Sequence, residues 1–353
     1  MSSLKELQNI FIKMDEVWER GEEAALLMIT EVRGSSYRRP GTKIMISSDG
    51  EVYGTLSGGC LENDLIEYAK VAILENRPAT KSYNLSENDL WGLGIGCKGA
   101  LEIVILPIKK TSVFWREVKQ EAFTGQLLNL VLNIDTGEGS LLNQHNQVIV
   151  QNGEYIPSTI INELFFVQKQ YRQSAKVMID EQNRYIVDTI FPLEKLIVSG
   201  AGHDAIPVVE FALKANFDVY VLDPRTQFND EKRFPGANHW VADPSNNMEI
   251  PASLRNSWWI IMNHHMERDG AALKLAMDSN PKYVGVLGPA KRTEELLETN
   301  GIEIIDQPLF APIGLDLGGE TVEEVGISIV SELLAVRNQR SSCHLKGKNK
   351  IHA

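Results

Sequence analysis

Lys195-Leu-Ile-Val-Ser-Gly-Ala-Gly-His-Asp-Ala205 is the stretch whose reading decides the fold of the second half of the chain. Leu196, Ile197 and Val198 suit a strand buried on both faces, and the run then breaks into glycines. Gly200 permits a tight turn, Gly202 lets backbone approach a ligand, and Ala205 lets a following helix pack closely. A helix starting there aims unpaired N–H groups at an anion, so a phosphate is expected near Gly200, Gly202 and His203.

Working towards the C-terminus, Phe217 to Leu222 reads as a second strand ending at Asp223, where a dinucleotide fold keeps its ribose-binding acid. Further short buried strands are expected at His239 to Ala242, Trp258 to Met262 and Tyr283 to Leu287, with helices at Asp269 to Ser279 and Thr293 to Glu298 between them. That alternation predicts a Rossmann-like, doubly wound parallel sheet over 193–340. Ligands then bind off the carboxyl ends of its strands, which gathers Asp223, the Asn263-His264-His265 segment and Gly288. His264 in such a place can hold a phosphate or shuttle a proton. Gly285 to Arg292 resembles a second strand-to-helix turn, and Lys291 and Arg292 in its first helical turn need an anion beside them. Helix Val322 to Arg337 closes the domain, and the polar tail 341–353, with Cys343, is expected to be disordered.

Working back to the N-terminus, Leu4, Leu7, Phe11, Met14 and Trp18 recur at helical spacing. Strands follow at Ala24 to Val32, Lys43 to Ser47 and Glu51 to Thr55, the last two joined through an Asp49-Gly50 turn. The connection Arg33 to Gly41 carries three arginines among small residues, which suits either an anion contact or a solvated turn. Ser57-Gly58-Gly59-Cys60-Leu61-Glu62 precedes a helical face of Leu65, Ile66, Ala69, Ile73 and Leu74. Cys60 is thus placed near a helix N-terminus, where a thiolate is favoured, and Gly58 and Gly59 leave the backbone open to a ligand. The same pattern suits a buried structural cysteine in a tight turn. Cys97, among Gly92, Gly94, Gly96 and Gly99, either turns the chain or presents a thiol. These features make 1–108 an α+β domain with cysteine loops, and 109–192 reads as a β-rich or α+β extension and linker. The fold class is therefore α/β overall.

The chain has 353 residues, so two or three domains are expected. A formal charge of -12 at pH 7 opposes nucleic acid or an anionic membrane as the main partner. No segment reads as a signal peptide or a membrane span, and a cytoplasmic location is expected. With 3 cysteines, a disulfide framework or a four-thiolate cluster within one chain is not available. From the residues alone, Gly200, Gly202 and Asp223 leave an NAD(P)-binding oxidoreductase as one reading.

Gly34-Ser-Ser, Ser57-Gly-Gly-Cys-Leu-Glu62, Gly92-Leu with Cys97-Lys-Gly99, Gly200-Ala-Gly-His203, Val284-Gly-Val-Leu-Gly288 and Ala311-Pro-Ile-Gly-Leu-Asp316 with Thr321-Val-Glu-Glu324 occur in that order. Together they resemble the XdhC/CoxI family of molybdenum-cofactor accessory proteins. The resemblance implies a chaperone, rather than an enzyme, that transiently binds molybdopterin and assists its sulfuration with a cysteine desulfurase. The cofactor would then pass to xanthine dehydrogenase or a related molybdenum hydroxylase. It implies that Cys60 contacts molybdenum or the transferred sulfur, with Cys97 second, and that the Gly200 turn holds the pterin phosphate. Asn263-His264-His265-Met266 departs from the family's Thr-His-Asp-His, so only His264 transfers. A homodimer is expected, because the cysteine loops and the Rossmann pocket must meet around one cofactor. The chain is not expected to be xanthine dehydrogenase itself, since 3 cysteines cannot ligate that enzyme's iron–sulfur clusters.

Overall fold

The computed structural model describes residues 3–34, 38–56, 61–84, 99–169 (165–169 as backbone only), 175–181, 183–303, 308–344 and 346. They fall into two compact units, which divide between Pro192 and Leu193.

The first unit opens with α1 (Leu4–Glu19), whose N-terminus is capped by Ser3 and whose apolar stripe Leu4, Leu7, Phe11, Met14 is buried. Then come β1 (Ala24–Gly34), β2 (Lys43–Ser47), β3 (Val52–Tyr53), α2 (Glu62–Glu75), β4 (Ala79–Asn84) and β5 (Gly99–Ile108). The chain continues through α3 (Val113–Ala122), β6 (Leu128–Asn133), β7 (Gly139–Asn143), β8 (Val148–Asn152), α4 (Ser158–Lys169), β9 (Ala175–Asp180) and β10 (Asn183–Ile190). The strands form two sheets, ordered β3-β2-β1-β5-β4 and β8-β7-β6-β10-β9. Position for position these are the same arrangement. Each half runs helix, three strands, helix, two strands, and in each the first strand pairs with the last.

Alternation along the strands divides the cores. In β1, Ala24, Leu26 and Met28 join β5's Val104, Leu106 and Ile108 in a core shared with α1, α3 and the second sheet. Ala25, Leu27 and Ile29 turn the other way, onto α2's Leu65, Ala69 and Ile73. The second sheet repeats this, with Leu128 and Leu130 facing the shared core and Val131, Tyr185 and Val187 packing on Ile160 and Leu164 of α4. The inner strands β1, β2, β5 and β6 are covered on both faces and read as near-continuous apolar runs, while β4, β8 and β9 stay partly exposed.

The second unit consists of β11 (Glu194–Ser199), α5 (Ala205–Lys214), β12 (Phe217–Leu222), β13 (Asn238–Trp240), β14 (Trp258–Ile261), α6 (Met266–Asp278), β15 (Tyr283–Val286), α7 (Ala290–Asn300), β16 (Leu309–Phe310) and α8 (Val322–Arg337). Its sheet runs β13-β12-β11-β14-β15-β16, with every pairing parallel. Numbered within the unit, that is the order 3-2-1-4-5-6 of a Rossmann-like fold. Leu196, Val198, Val219 and Ile260 pack on α5 and α8, while Ile197, Trp259, Ile261 and Val284 pack towards α6 and α7. The strand order reverses between β11 and β14, so the ends of these two strands bound the crevice where such sheets take ligands.

Candidate functional site

β11 ends in the Gly200 turn. Gly200 has φ +114, and a Cβ there would lie 2.5 Å from the carbonyl oxygen of Met262 at the end of β14. The glycine is required by the neighbouring strand's backbone as well as by the turn. Its N–H donates to Leu222 O at 2.9 Å. A Cβ on Gly202 would meet the Asp204 carboxylate at 2.4 Å, because Asp204 folds back over the turn.

Two side chains brace this turn from outside. Asp223, 1% exposed at the end of β12, accepts the Ala201 N–H at 2.9 Å. Arg233 donates through Nη2 to the carbonyls of Ala201 and Gly202 at 3.1 and 3.2 Å, and through Nε to Phe228 O at 3.0 Å. The Asp223 carboxylate takes three further bonds, all from Arg225: the backbone N–H and Nε on Oδ1, both at 2.9 Å, and Nη2 on Oδ2 at 2.6 Å. Burial alone would push this carboxyl up, but the hydrogen bonds from Arg225 and the Ala201 N–H outweigh it and hold the group below the ordinary aspartate range. The Arg225 and Arg233 guanidinium groups lie 4.4 and 4.9 Å from the Phe228 ring centroid, and His203 meets the same ring edge-on at 6.4 Å.

At the other side of the crevice, His264 follows β14 with φ +57, a backbone region that costs a non-glycine residue energy. Its Nε2 lies 2.7 Å from Asp204 Oδ2, and the imidazole is largely exposed. Asp204 is the N-cap of α5 but makes no side-chain cap bond, and α5 has no acidic residue in its first turn. By contrast α2, α6 and α8 each carry two. Among these four termini, that of α5 carries a single carboxylate, Asp204, which is turned towards His264 and caps none of the first N–H groups, so these remain available to an anion. His265 takes a separate role as the N-cap of α6.

Gly288, φ +119, forms the turn between β15 and α7. The anion that Arg292 requires comes from within the protein: its guanidinium pairs with Asp269, which is fully buried and also accepts the Asn263 N–H and Nδ2, both at 2.9 Å. This turn is closed by its own charge pair.

Gly58, Gly59, Cys60 and Cys97 lie outside the described residues, but the flanks of the first loop are in view. The Glu62 carboxylate accepts the Leu56 N–H at 3.3 Å through Oε1 and the Leu61 N–H at 3.2 Å through Oε2, so one side chain holds both ends of the 57–60 segment. Arg38, from the arginine-bearing connection, donates through Nε to Thr55 O at 3.0 Å and through Nη2 to Glu6 at 3.4 Å. A cavity of about 280 Å³ on the first unit, lined by Asn76, Pro78, Trp115, Thr136 and Asn152 among others, contains none of the candidate residues.

In the second unit, then, the structure brings Gly200, Gly202, His203, Asp223 and His264 to one end of the sheet. Sequence reasoning missed Asp204, Arg225, Phe228 and Arg233 there. Arg225 carried a signal, standing two residues after the expected ribose acid. Arg233 carried none, since its contacts depend on the fold of the loop after β12.

Two family models match the chain. Residues 17–84 match the model described as the XdhC and CoxI family, and residues 196–333 match the XdhC Rossmann domain. A Bacillus subtilis relative described as a probable xanthine dehydrogenase component is 26% identical over 94% of this chain and 98% of its own length. The molybdenum cofactor insertion chaperone PaoD of Escherichia coli is 22% identical over 92% of this chain and 87% of its own. A crystal structure from Bacillus halodurans, described as a xanthine dehydrogenase, superposes with a TM-score of 0.78 at 26% identity, covering 99% of this chain and 98% of that one.

Proposed function

Because this chain belongs to the XdhC and CoxI family, whose members are tied to molybdenum cofactor handling, we propose that it is a maturation chaperone. It binds molybdenum cofactor as cargo, assists its sulfuration with a cysteine desulfurase, and inserts it into xanthine dehydrogenase or a related hydroxylase, acting in the cytoplasm as a homodimer.

The observation that supports this most is the Gly200 turn with its uncapped α5 terminus. In a chain of formal charge -12, His203, Arg225, Arg233 and His264 gather at that one end of the sheet, Arg225 and His264 paired there with Asp223 and Asp204. Such a place suits the phosphate that every form of the pterin carries. His203 and the first N–H groups of α5 would hold that phosphate. His264, oriented by Asp204, would hold or pass a proton beside it. Cys60, with Cys97 second, would supply the soft contact for the dithiolene-bound metal or its transferred sulfur. Bound cofactor supplies the molybdenum centre that the client enzyme uses; the chaperone itself turns over no purine.

Expression with molybdenum, anaerobic purification and pterin extraction test this. Stoichiometric pterin in the wild type, reduced in Cys60→Ala, is the expected result. Absence of pterin, together with a Cys60→Ala variant that still activates a client hydroxylase, would overturn it. A second reading, an NAD(P)-dependent oxidoreductase, draws on the 3-2-1-4-5-6 strand order and the Gly200 turn. Calorimetric titration with NAD and NADP separates the two.

A further inference from the structure

We propose that Arg225 is the residue that determines ligand specificity at the Gly200 turn, by closing the ribose subsite of this Rossmann-like unit against an unphosphorylated ribose diol. The proposal builds on the reading of that turn as a phosphate site.

In a dinucleotide fold, the acid after the second strand accepts hydrogen bonds from the ribose hydroxyls, and it needs free lone pairs to do so. Asp223 stands at that position but has none to offer. A carboxylate has about four lone-pair sites, and here Ala201 N–H, Arg225 N–H, Arg225 Nε and Arg225 Nη2 each take one. The side-chain pair is a bidentate, charge-assisted fork, the strongest arrangement these groups make. Asp223 is 1% exposed, and the Arg225 guanidinium is held in place by its stacking 4.4 Å above Phe228. A diol entering this site would have to break the fork and leave a guanidinium unpaired.

The outer edge of Arg225 remains partly exposed, with its side chain at 38%. It therefore presents N–H donors where a dinucleotide site presents an acceptor. A diol hydroxyl can accept from these donors only weakly, whereas an anion accepts from them in a charge-assisted bond, so the subsite favours a phosphate or another charged acceptor. Specificity here is achieved by an element that rejects the wrong ligand as well as one that attracts the right one. The acid remains because its task is structural: it fixes the Ala201 N–H and so the shape of the turn.

The experiment titrates the full chain with NAD, AMP and 2′-deoxy-AMP. Wild type is expected to bind AMP and 2′-deoxy-AMP alike, with no saturable binding of NAD. Arg225→Ala frees the two lone pairs that the fork occupies and is expected to gain about tenfold for AMP over 2′-deoxy-AMP, which corresponds to 1.4 kcal/mol. Arg225→Lys keeps the charge but loses the fork, and a smaller gain of the same kind is expected, which keeps the test available if the alanine variant is unstable. A wild type that already prefers AMP tenfold over its deoxy form would overturn the proposal. So would folded variants, checked by circular dichroism, that gain no preference. Pterin loading of Arg225→Ala, measured in parallel, reports on the chaperone reading separately, since a variant can gain the diol preference whether or not it retains pterin.

Discussion

At the residue scale, the two candidate turns differ in how they are held, and each hold can be tested. The Glu62 carboxylate bridges Leu56 and Leu61 across the segment that contains Cys60. Glu62→Ala removes the carboxylate that accepts the Leu56 and Leu61 N–H groups, at a cost of about 1–3 kcal/mol measurable by urea denaturation. It also removes a negative charge two residues from the thiol, so Cys60 is expected to react faster with iodoacetamide, read by mass spectrometry. Glu62→Gln keeps an acceptor and should speed the reaction with a smaller loss of stability. In the second unit, the Asp223 carboxyl is held below its ordinary range. A group depressed on folding contributes stability that is complete above its unfolded pKa, about 3.9 for aspartate, and is lost as pH falls through the folded value. Asp223→Asn is therefore expected to flatten the acid limb of the stability profile below about pH 4, and an unchanged limb would show that the carboxylate's bonds contribute nothing. The positions of Gly200 and Asp223 were legible in the sequence because strand, turn and strand set them. The partner of Asp223 was not, although it stands two residues away, because a rotamer rather than a spacing decides that Arg225 turns inward.

At the element scale, legibility followed local signals. The helix expected over Val322 to Arg337 is present with those ends, and its start carries a capping box: Thr321 accepts the Glu324 N–H while the Glu324 carboxylate accepts the Thr321 N–H. Thr321→Ala should lower stability by about 1 kcal/mol. β12 likewise matches its expected span of Phe217–Leu222. Most misses lie between residues 109 and 192; outside that stretch the two-residue β16 was also not expected. α4 begins Ser158-Thr-Ile-Ile, a β-branched opening that weakens its helical signature, and β10 carries Arg184 and Asp188 within its run, which breaks the apolar pattern of a buried strand. Packing across the sheet was equally invisible. Phe217, Trp258, Tyr283 and Phe310 form a continuous row of ring contacts from β12 to β16. At its third member, the Tyr283 hydroxyl donates to the buried Glu332 of α8, whose same oxygen accepts the Gly314 N–H at 3.2 Å. Burial and the carboxylate together push the Tyr283 phenol up, so it stays a donor throughout the accessible pH range. Tyr283→Phe strips a near-buried carboxylate of its main donor and should cost about 1–3 kcal/mol in denaturant melts, more than a phenylalanine swap at a solvated tyrosine.

At the scale of the whole molecule, the first unit is two copies of one plan joined through a buried charge. Both sheets have the same strand order, yet the connections that carry Cys60 and Cys97 in the first copy have short counterparts in the second: 153–157 after β8, and 181–182 between β9 and β10. The plan repeats while the cysteines do not, which explains why residues 109–192 offered no constellation to sequence reasoning and still fold as a full partner. What ties the copies together is Lys43 on β2 and Asp188 on β10, both fully buried and paired, with Lys43 also donating to Gly41 O at 2.9 Å. Arg184 on β10 reaches Glu102 on β5, whose carboxylate also accepts the Thr30 hydroxyl at 2.9 Å. The Glu6 carboxylate also interacts with Lys43 and with Asp188, so Asp188→Ala leaves Lys43 facing Glu6 while Lys43→Met leaves two carboxylates without their shared cation; Lys43→Met is expected to cost about 3–5 kcal/mol and Asp188→Ala less. The double variant Lys43→Met with Asp188→Leu removes both charges and should recover part of that loss, with Glu6 keeping its contact to Arg38. Because the pair spans two sheets that share one core, hydrogen exchange in the single variants should lose protection in β2 and β10 together. If protection fell in the 128–190 sheet alone, the two copies would be separate cooperative units, and the pair would be a local contact rather than the joint between them.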